Sequence, residues 1–298
     1  MTASVQASAD RRPWTILELL RWTTAHFAAK GIESARLDAE LLLAYALGTD
    51  RLRLYLEFEK PVLEEERARF RALVRRRGEE RVPVAYLTGA REFWSLPLAV
   101  TPDVLIPRPE TETLVEAVLA RMPRRESPLA ILDLGTGSGA IALALAKEWP
   151  GAELTATDVS DAALAVARKN AAALGLLERV RFASGDLFAP VRGERFDVIV
   201  SNPPYVAESE APGLAPELRH EPAAALFAPG DGTALLRRIA AEAGAQLAPG
   251  GLLALELAPA QAGDVTQCLR EAGFAALACH RDLGGRTRAV SALGPGGT

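Results

Sequence analysis

A doubly wound α/β sheet preceded by a small helical domain is the architecture the sequence predicts, on three observations. From Leu129 onward, short runs rich in Val, Ile and Leu alternate with stretches of helical periodicity, the pattern of parallel strands joined by crossover helices. From Pro13 to Gly78 the apolar residues recur only at helical spacing. Between these parts, two strand-like segments flank a glycine and read as a hairpin. The expected division is a helical domain over 1–82, a hairpin linker over 83–105 and an α/β domain over 106–298. A chain of 298 residues has room for about two domains.

In the helical part, Pro13 suits a first-turn position, Ile16, Leu19, Leu20 and Phe27 share a face, and Gly31 ends the first helix. Ser34 caps a second helix that carries Leu37, Leu41, Leu42 and Tyr45 and closes at Gly48. Thr49 and Pro61 open two more, the last with Leu63, Phe70, Leu73 and Val74 inward. The charges from Glu64 to Arg77 read as a solvated face, with a macromolecular partner as the alternative. Tyr86-Leu87-Thr88-Gly89 and Glu92-Phe93-Trp94-Ser95-Leu96 read as the two hairpin strands. Ile106-Pro107-Arg108-Pro109-Glu110-Thr111 then stiffens the chain before a helix over 110–121, and from spacing alone it serves a helix start or a ligand contact equally well.

Seven strands follow, over 130–134, 153–157, 180–183, 196–200, 252–257, 274–279 and 288–292, with helices from Ser138 and Ser160, over 231–247 and over 259–272. The last two strands meet across Gly284-Gly285, so the final strand is expected to be antiparallel. The first ten residues and the tail 294–298 are expected to fray.

Composition narrows the function classes. Hydrophobic residues make up 49% and charged residues 24%, values of a globular protein with a full core. The net charge of -4 offers no global field for nucleic acid. Cys268 and Cys279 are too few and too widely spaced for a disulfide framework or a zinc site, and His26, His220 and His280 have no ligand spacing, so no metal is expected. No apolar run reaches membrane-spanning length, and the N-terminus lacks a signal-peptide core. A reduced, cytoplasmic location follows.

The chemistry gathers at three strand ends. Asp133-Leu134-Gly135-Thr136-Gly137-Ser138-Gly139 runs from the first strand of the sheet into a helix, where glycines let a ligand approach the backbone and free N–H groups face it. Asp158 ends the second strand, where an adenosine ligand needs an acceptor for its ribose hydroxyls. Together they indicate an adenosine cofactor without choosing between a nicotinamide and S-adenosylmethionine. Asp186 and Leu187 follow the third strand, the one an acceptor for an adenine amino group, the other an apolar contact for its ring. Ser201-Asn202-Pro203-Pro204-Tyr205 interrupts the fourth. Its two prolines remove donors and stiffen a turn whose carbonyls point outward, Asn202 adds an amide oxygen, and Tyr205 adds a flat face. Such a turn forms a slot for a planar group that carries an NH2.

These motifs together resemble the S-adenosylmethionine-dependent methyltransferases, within which N-P-P-Y marks the branch acting on planar amino or amide nitrogens. More closely, Leu87-Thr88-Gly89, Glu92-Phe93-Trp94, the run from Thr101 to Glu112 that contains I-P-R-P-E-T-E, and Asp282-Leu283-Gly284-Gly285-Arg286 resemble the HemK-type N5-glutamine methyltransferases of peptide chain release factors. Leu187 stands where some members carry Trp, and Glu256-Leu257-Ala258-Pro259 is more apolar than the family's stretch before Gln261. The resemblance implies a seven-stranded methyltransferase sheet. It also implies S-adenosylmethionine on Gly135, Thr136, Gly137, Ser138, Gly139, Asp158, Asp186, Leu187 and Asn202, with Phe93, Arg108 and Glu110 at the pocket. Asn202, Pro203, Pro204 and Tyr205 then take the substrate glutamine, of which Asn202, Pro203 and Tyr205 serve catalysis, and the helical domain grips a release factor. A monomer is expected. A ribosomal-protein glutamine or DNA adenine methyltransferase stands as the alternative within the class. A nicotinamide oxidoreductase would leave N-P-P-Y without a purpose, and a non-catalytic module binding translation factors would not need Asn202.

Overall fold

A computed structural model describes residues 13–122 and 128–295 and divides the chain into two compact units, 1–88 and 89–298. The first ten residues, and 296–298 of the tail expected to fray, lie outside the described residues, whereas the Gly294 N–H donates to the Gly251 carbonyl at 2.8 Å.

The first unit holds α1 (Ile16–Ala29), α2 (Ala35–Leu47), α3 (Arg51–Leu56), α4 (Glu64–Glu79) and α5 (Val84–Thr88). The first helix starts at a capping box: the Glu18 N–H donates to Thr15 Oγ1 at 3.3 Å, and the Thr15 N–H donates to Glu18 Oε2 at 2.8 Å. Pro13 therefore precedes the helix instead of opening it. Ser34 does not cap α2 either; its hydroxyl donates to Asp38 Oδ1, and Asp38 in turn pairs with buried Arg77 at 2.7 Å. Leu20, Phe27, Leu42, Leu43 and Leu54 form the core of this unit, each fully buried. Leu63, expected inward, is 68% exposed because it is the N-cap of α4 and lies before the helical face begins.

A correction falls at 86–89. Tyr86 and Leu87 lie in α5, not in a strand, and Gly89 follows it in the left-handed region at φ +72°. The hairpin lies later, β1 (Ala90–Phe93) pairing with β2 (Leu96–Ala99), and turns at Trp94 and Ser95 with φ of +52° and +55°. Two consecutive positive φ values match the twist of a two-residue hairpin. Neither Trp94 nor Ser95 belongs to the residue types that announce such a turn.

After one 3-10 turn at Pro109–Thr111 come α6 (Glu112–Arg121), β3 (Ala130–Leu134), α7 (Ala140–Glu148), β4 (Glu153–Asp158), α8 (Asp161–Ala173), β5 (Val180–Ser184) and β6 (Phe196–Ser201). The chain continues through β7 (Val206–Ala207), α9 (Ala223–Leu226), β8 (Phe227–Ala228), α10 (Ala234–Ala243), β9 (Leu247–Glu256), α11 (Ala262–Glu271), β10 (Ala275–Arg281) and β11 (Thr287–Leu293). The seven-stranded sheet has the order β10-β11-β9-β6-β3-β4-β5, with only β11 antiparallel to its neighbours. This is the predicted doubly wound sheet with its last strand reversed. β9 begins at Leu247 instead of Leu252, because a bulge between its pairings to Phe196 and Val198 absorbs Pro249-Gly250-Gly251 within the strand.

Apolar strands buried on both faces need cover on both. One side is filled by Leu114, Ile141, Leu145 and Trp149, the other by Phe188, Phe196, Leu236, Ile239 and Leu269. The order reverses where β3 lies between β4 and β6, so the carboxyl ends of β3 and β6 border the crevice in which such sheets bind ligands. Side-chain and backbone bonds stitch these ends together: Ser201 Oγ donates to the Leu134 carbonyl at 2.8 Å, and Thr136 N–H to Thr157 at 2.9 Å.

Candidate active site

At that crevice lies a cavity of about 260 Å3. Gly135, Thr136, Gly137 and Ser138 line it from the loop after β3, Asp158 from the end of β4, Asp186 and Leu187 from the end of β5, and Asn202, Pro203 and Pro204 from the end of β6. Arg108 and Thr111 line it from the segment before α6.

The loop glycines divide into two kinds. Gly135, Gly137 and Gly139 all have positive φ, at +69°, +55° and +84°. A Cβ on Gly135 or Gly137 would meet nothing within 4 Å, so their open side is space for a guest. One on Gly139 would press on Leu143 and Ala167 at 3.1 and 3.3 Å; this glycine serves helix packing and does not line the cavity. Beneath the loop, Asp133 is fully buried and accepts at Oδ2 from the Thr136 hydroxyl at 2.7 Å and the Ala142 N–H at 3.1 Å. Burial pushes its pKa up to about 7 against those two bonds, and Oδ1 has no partner among the described residues.

Asp158 is held by the backbone, accepting at Oδ2 from the Gly137 N–H and at Oδ1 from the Ser160 N–H, both at 2.9 Å. Each oxygen keeps a further lone pair for a ligand hydroxyl. Asp186 is exposed and pairs with Arg238 at 2.8 Å, so a ligand amino group would meet a carboxylate already partly neutralised.

The Asn-Pro-Pro-Tyr turn is held from farther away. Asn202 Nδ2 donates to Thr111 Oγ1 at 3.3 Å, which leaves its amide oxygen on the opposite side. Among the described residues no donor reaches the Pro203 carbonyl. The Tyr205 hydroxyl donates to Glu256 Oε1 at 3.1 Å, and its carbonyl accepts from Gln261 Nε2 at 2.8 Å. Gly232 packs so close that a Cβ there would stand 2.3 Å from the Tyr205 carbonyl oxygen. Burial and the Glu256 charge raise the Tyr205 pKa, so the phenol stays protonated at neutral pH.

Four of the residues expected at the pocket do not line this cavity: Phe93, Glu110, Gly139 and Tyr205. Phe93 is 1% exposed in the core with Leu96, Leu98 and Leu114, because the strand alternation of β1 turns it inward. Glu110 is exposed, and the Tyr205 ring packs against the core beneath the turn. Arg108 does line the cavity and is clamped by Glu221, which also accepts from the Ile106 N–H at 3.1 Å.

Sequence reasoning missed Glu221, Gly232 and the partnerships of Thr111 with Asn202 and of Tyr205 with Glu256. A signal existed for Glu256, the one carboxylate that closes a wholly apolar strand. No local pattern distinguishes Gly232 from its neighbour Gly230.

Comparison with known proteins is consistent over most of the chain. Residues 18–89 match the family described as PrmC N-terminal domain, and residues 111–233 the methyltransferase small domain. The release factor glutamine methyltransferase of Rhodopirellula baltica is 46% identical over 292 residues, covering 95% of this chain and 98% of that one. That of Geobacter sulfurreducens is 45% identical over 278 residues, with 93% and 96% covered. Among solved structures, the hMettl16 catalytic domain aligns with a TM-score of 0.56 at 19% identity, over 72% of this chain and 80% of that one. The 16S rRNA N2 G1207 methyltransferase of T. thermophilus aligns with a TM-score of 0.51 at 22% identity, over 69% and 49%. At such identities the structural likeness speaks for the sheet and its order alone.

Proposed function

This chain belongs to the release factor glutamine methyltransferase family, and from that membership we propose that its cavity holds S-adenosylmethionine beside the glutamine it methylates. The protein methylates a glutamine of peptide chain release factors. The target is the side-chain amide nitrogen, N5, of the Gly-Gly-Gln motif. The observation that carries the assignment is the juxtaposition of Asn202 and Pro203 with the open glycine loop around one cavity.

The donor set fits the cofactor. Gly135 and Gly137 leave room for an adenosine against the backbone, Asp158 has lone pairs for two ribose hydroxyls, and Leu187 offers an apolar contact. Asp186 reaches an adenine amino group by sharing its carboxylate with Arg238. When bound, S-adenosylmethionine supplies an electrophilic methyl group on a sulfonium.

The remaining work falls to the turn. A carboxamide nitrogen is a poor nucleophile because its lone pair is delocalised into the carbonyl. Asn202 Oδ1 and the Pro203 carbonyl accept its two hydrogens, turn the lone pair toward the methyl carbon and stabilise the positive charge that develops on nitrogen; as the methyl leaves sulfur for nitrogen, the sulfonium would become a neutral thioether and one of the two hydrogens would leave to water as a proton. Alignment of two bound reactants contributes up to roughly 7–11 kcal/mol in favourable systems. Pro203 and Pro204 keep the turn stiff and free of competing donors. Tyr205 acts from below by fixing the turn to Glu256. Arg108, held by Glu221, borders the entrance for the substrate loop, and Glu110 lies on the exposed rim beside it. Phe93 supports this region from the core. The helical unit 1–88 grips the release factor, in a cytoplasmic, monomeric enzyme. Among the described residues no helix is long and apolar enough to cross a membrane.

The test is incubation with a purified release factor and cofactor labelled in the methyl group, followed by mass mapping of the product. Label on the side-chain nitrogen of the Gly-Gly-Gln glutamine is the expected result, and label on any other atom refutes the assignment.

A further inference from the structure

The chain leaves the Asn-Pro-Pro-Tyr turn through β7, makes an excursion over 208–226 and returns as β8, which pairs with β7 at Val206–Phe227 and Ala207–Ala228. That pair closes the base of the excursion. Its later part is held by Glu221, whose side chain is 1% exposed. Glu221 Oε2 accepts from the Ile106 N–H at 3.1 Å, and Oε1 accepts from Arg108 Nη2. Among the described residues no other cation pairs with this carboxylate. Directly after it in the chain, Pro222, Ala224 and Ala225 line the cavity, and on the other side of the joint so do Pro107 and Arg108. One carboxylate therefore fastens together two parts of the cavity wall, from positions 113 and 115 residues apart in the chain.

We propose that Glu221 is a positioning residue that, paired with Arg108, fixes the wall formed by Pro222, Ala224 and Ala225 against the segment 106–108. This rests on the reading that a release-factor glutamine is methylated in this cavity. A carboxylate withdrawn from water needs donors and a countercharge, and removing one partner of such a pair leaves the other as an uncompensated buried charge. Glu221 has almost no surface through which to reach water while the excursion stays packed. The Arg108 side chain, 33% exposed, can turn outward. The pair is thus asymmetric: Glu221 depends on Arg108 more than Arg108 depends on Glu221. The guanidinium acts as the countercharge of the joint, and its place at the cavity follows from that. Gly137 and Asp158 are tied to each other by a bond in which Glu221 takes no part. A loosened joint should therefore disturb delivery of the glutamine before it disturbs the cofactor.

Four proteins separate this role from a direct contact between Arg108 and the cofactor: the wild type, Arg108→Ala, Glu221→Gln and the double variant. Each is assayed for methylation of a release factor at saturating cofactor, for calorimetric affinity for S-adenosylhomocysteine, and for amide hydrogen exchange at Ile106 and over 208–226. Arg108→Ala leaves the carboxylate without its cation. We expect kcat/KM for the factor to fall about 10- to 100-fold and exchange over 208–226 to quicken, with S-adenosylhomocysteine affinity within about 3-fold of wild type. Glu221→Gln keeps an oxygen for the Ile106 N–H and needs no countercharge, so its loss should be about 3-fold or less. In the double variant the same uncharged side chain removes the cause of the defect, and kcat/KM should return to within about 3-fold of the Glu221→Gln value. A double variant as slow as Arg108→Ala, or a fall in S-adenosylhomocysteine affinity that the second substitution does not restore, overturns the proposal. If Arg108→Ala does not fold, Glu221→Ala takes its place: it cuts both bonds and should show the losses that Glu221→Gln avoids, and equal activity of these two variants overturns the proposal. The exchange measurement needs no substrate. Absence of label on the factor's glutamine with the wild type would therefore sink the reading of the site, whereas unchanged exchange over 208–226 in Arg108→Ala would sink the role given to Glu221.

Discussion

The glycine loop and the Asn-Pro-Pro-Tyr turn face one cavity but are supported over different distances along the chain. The loop is held by near neighbours: Thr136 by Asp133, Gly139 by Thr136, and Gly137 by Asp158 from the adjacent strand. The turn depends on Thr111, 91 residues before Asn202, and on Glu256 and Gln261, 51 and 56 residues after Tyr205. On the proposed reading, cofactor binding rests on a local unit, whereas substrate geometry is assembled from segments remote in sequence. Damage at a distance should consequently reach turnover before it reaches cofactor affinity.

The largest expected effect breaks the comparison cleanly. Asn202→Ala removes an acceptor aimed at the developing charge and should lower kcat by about 100- to 1000-fold, while calorimetric affinity for S-adenosylhomocysteine changes little. An equal fall in both would mean that the turn and the loop act as one unit. Two glycine substitutions sharpen the contrast. Gly232→Ala drives a Cβ to 2.3 Å from the Tyr205 carbonyl oxygen at a φ of +83°, and should cost about 2–4 kcal/mol in denaturant unfolding together with most turnover. Gly135→Ala meets no protein atom, so its folding cost is only the backbone strain of about 1 kcal/mol, and its main effect should be weaker cofactor binding. Gln261→Leu, which frees the Tyr205 carbonyl, should be milder than Gly232→Ala, with a loss of about 1–3 kcal/mol and a modest fall in kcat.

The smallest effect is a pH dependence to which both regions contribute. Asp133 under the loop and Glu256 under the turn have pKa values raised by burial to about 7, from ordinary values of 3.8 and 4.5. A raised folded-state pKa means that the folded protein holds its proton longer. The stability from these protons is complete below about pH 4 and is lost as pH rises through 7. The thermal midpoint should thus decline between pH 5 and pH 8 through these two groups. Asp133→Asn should flatten the decline by the loop's share and Glu256→Gln by the turn's, as read by thermal unfolding across that range. Unchanged slopes in both variants would count against the buried, protonated state of these carboxyls.

Legibility followed the same division. The glycine loop, Asp158 and the Asn-Pro-Pro-Tyr turn each announce themselves within a few residues, since strand ends and tight turns restrict residue type locally. Phe93 misled because an aromatic beside a hairpin looks the same in sequence whether it faces a ligand or the core. Trp94 and Ser95 hid the turn, since neither favours the positive φ that a two-residue hairpin turn requires, and Tyr86 and Leu87 took helical geometry over their strand-like character. Thr111 looked like part of a helix start until the fold brought Asn202 to it.

The order of strands and helices, the reversal of the last strand and the residues that end β3, β4, β5 and β6 at one sheet edge were determined by the sequence, because hydrophobic period and turn chemistry act over a few residues. Only the tertiary structure decided that Asn202 meets Thr111, that Glu256 stands behind Tyr205 and that Gly232 must remain bare. A hydrogen bond or a steric contact reaches about 3 Å, so groups far apart along the chain acquire partners only when packing brings them together.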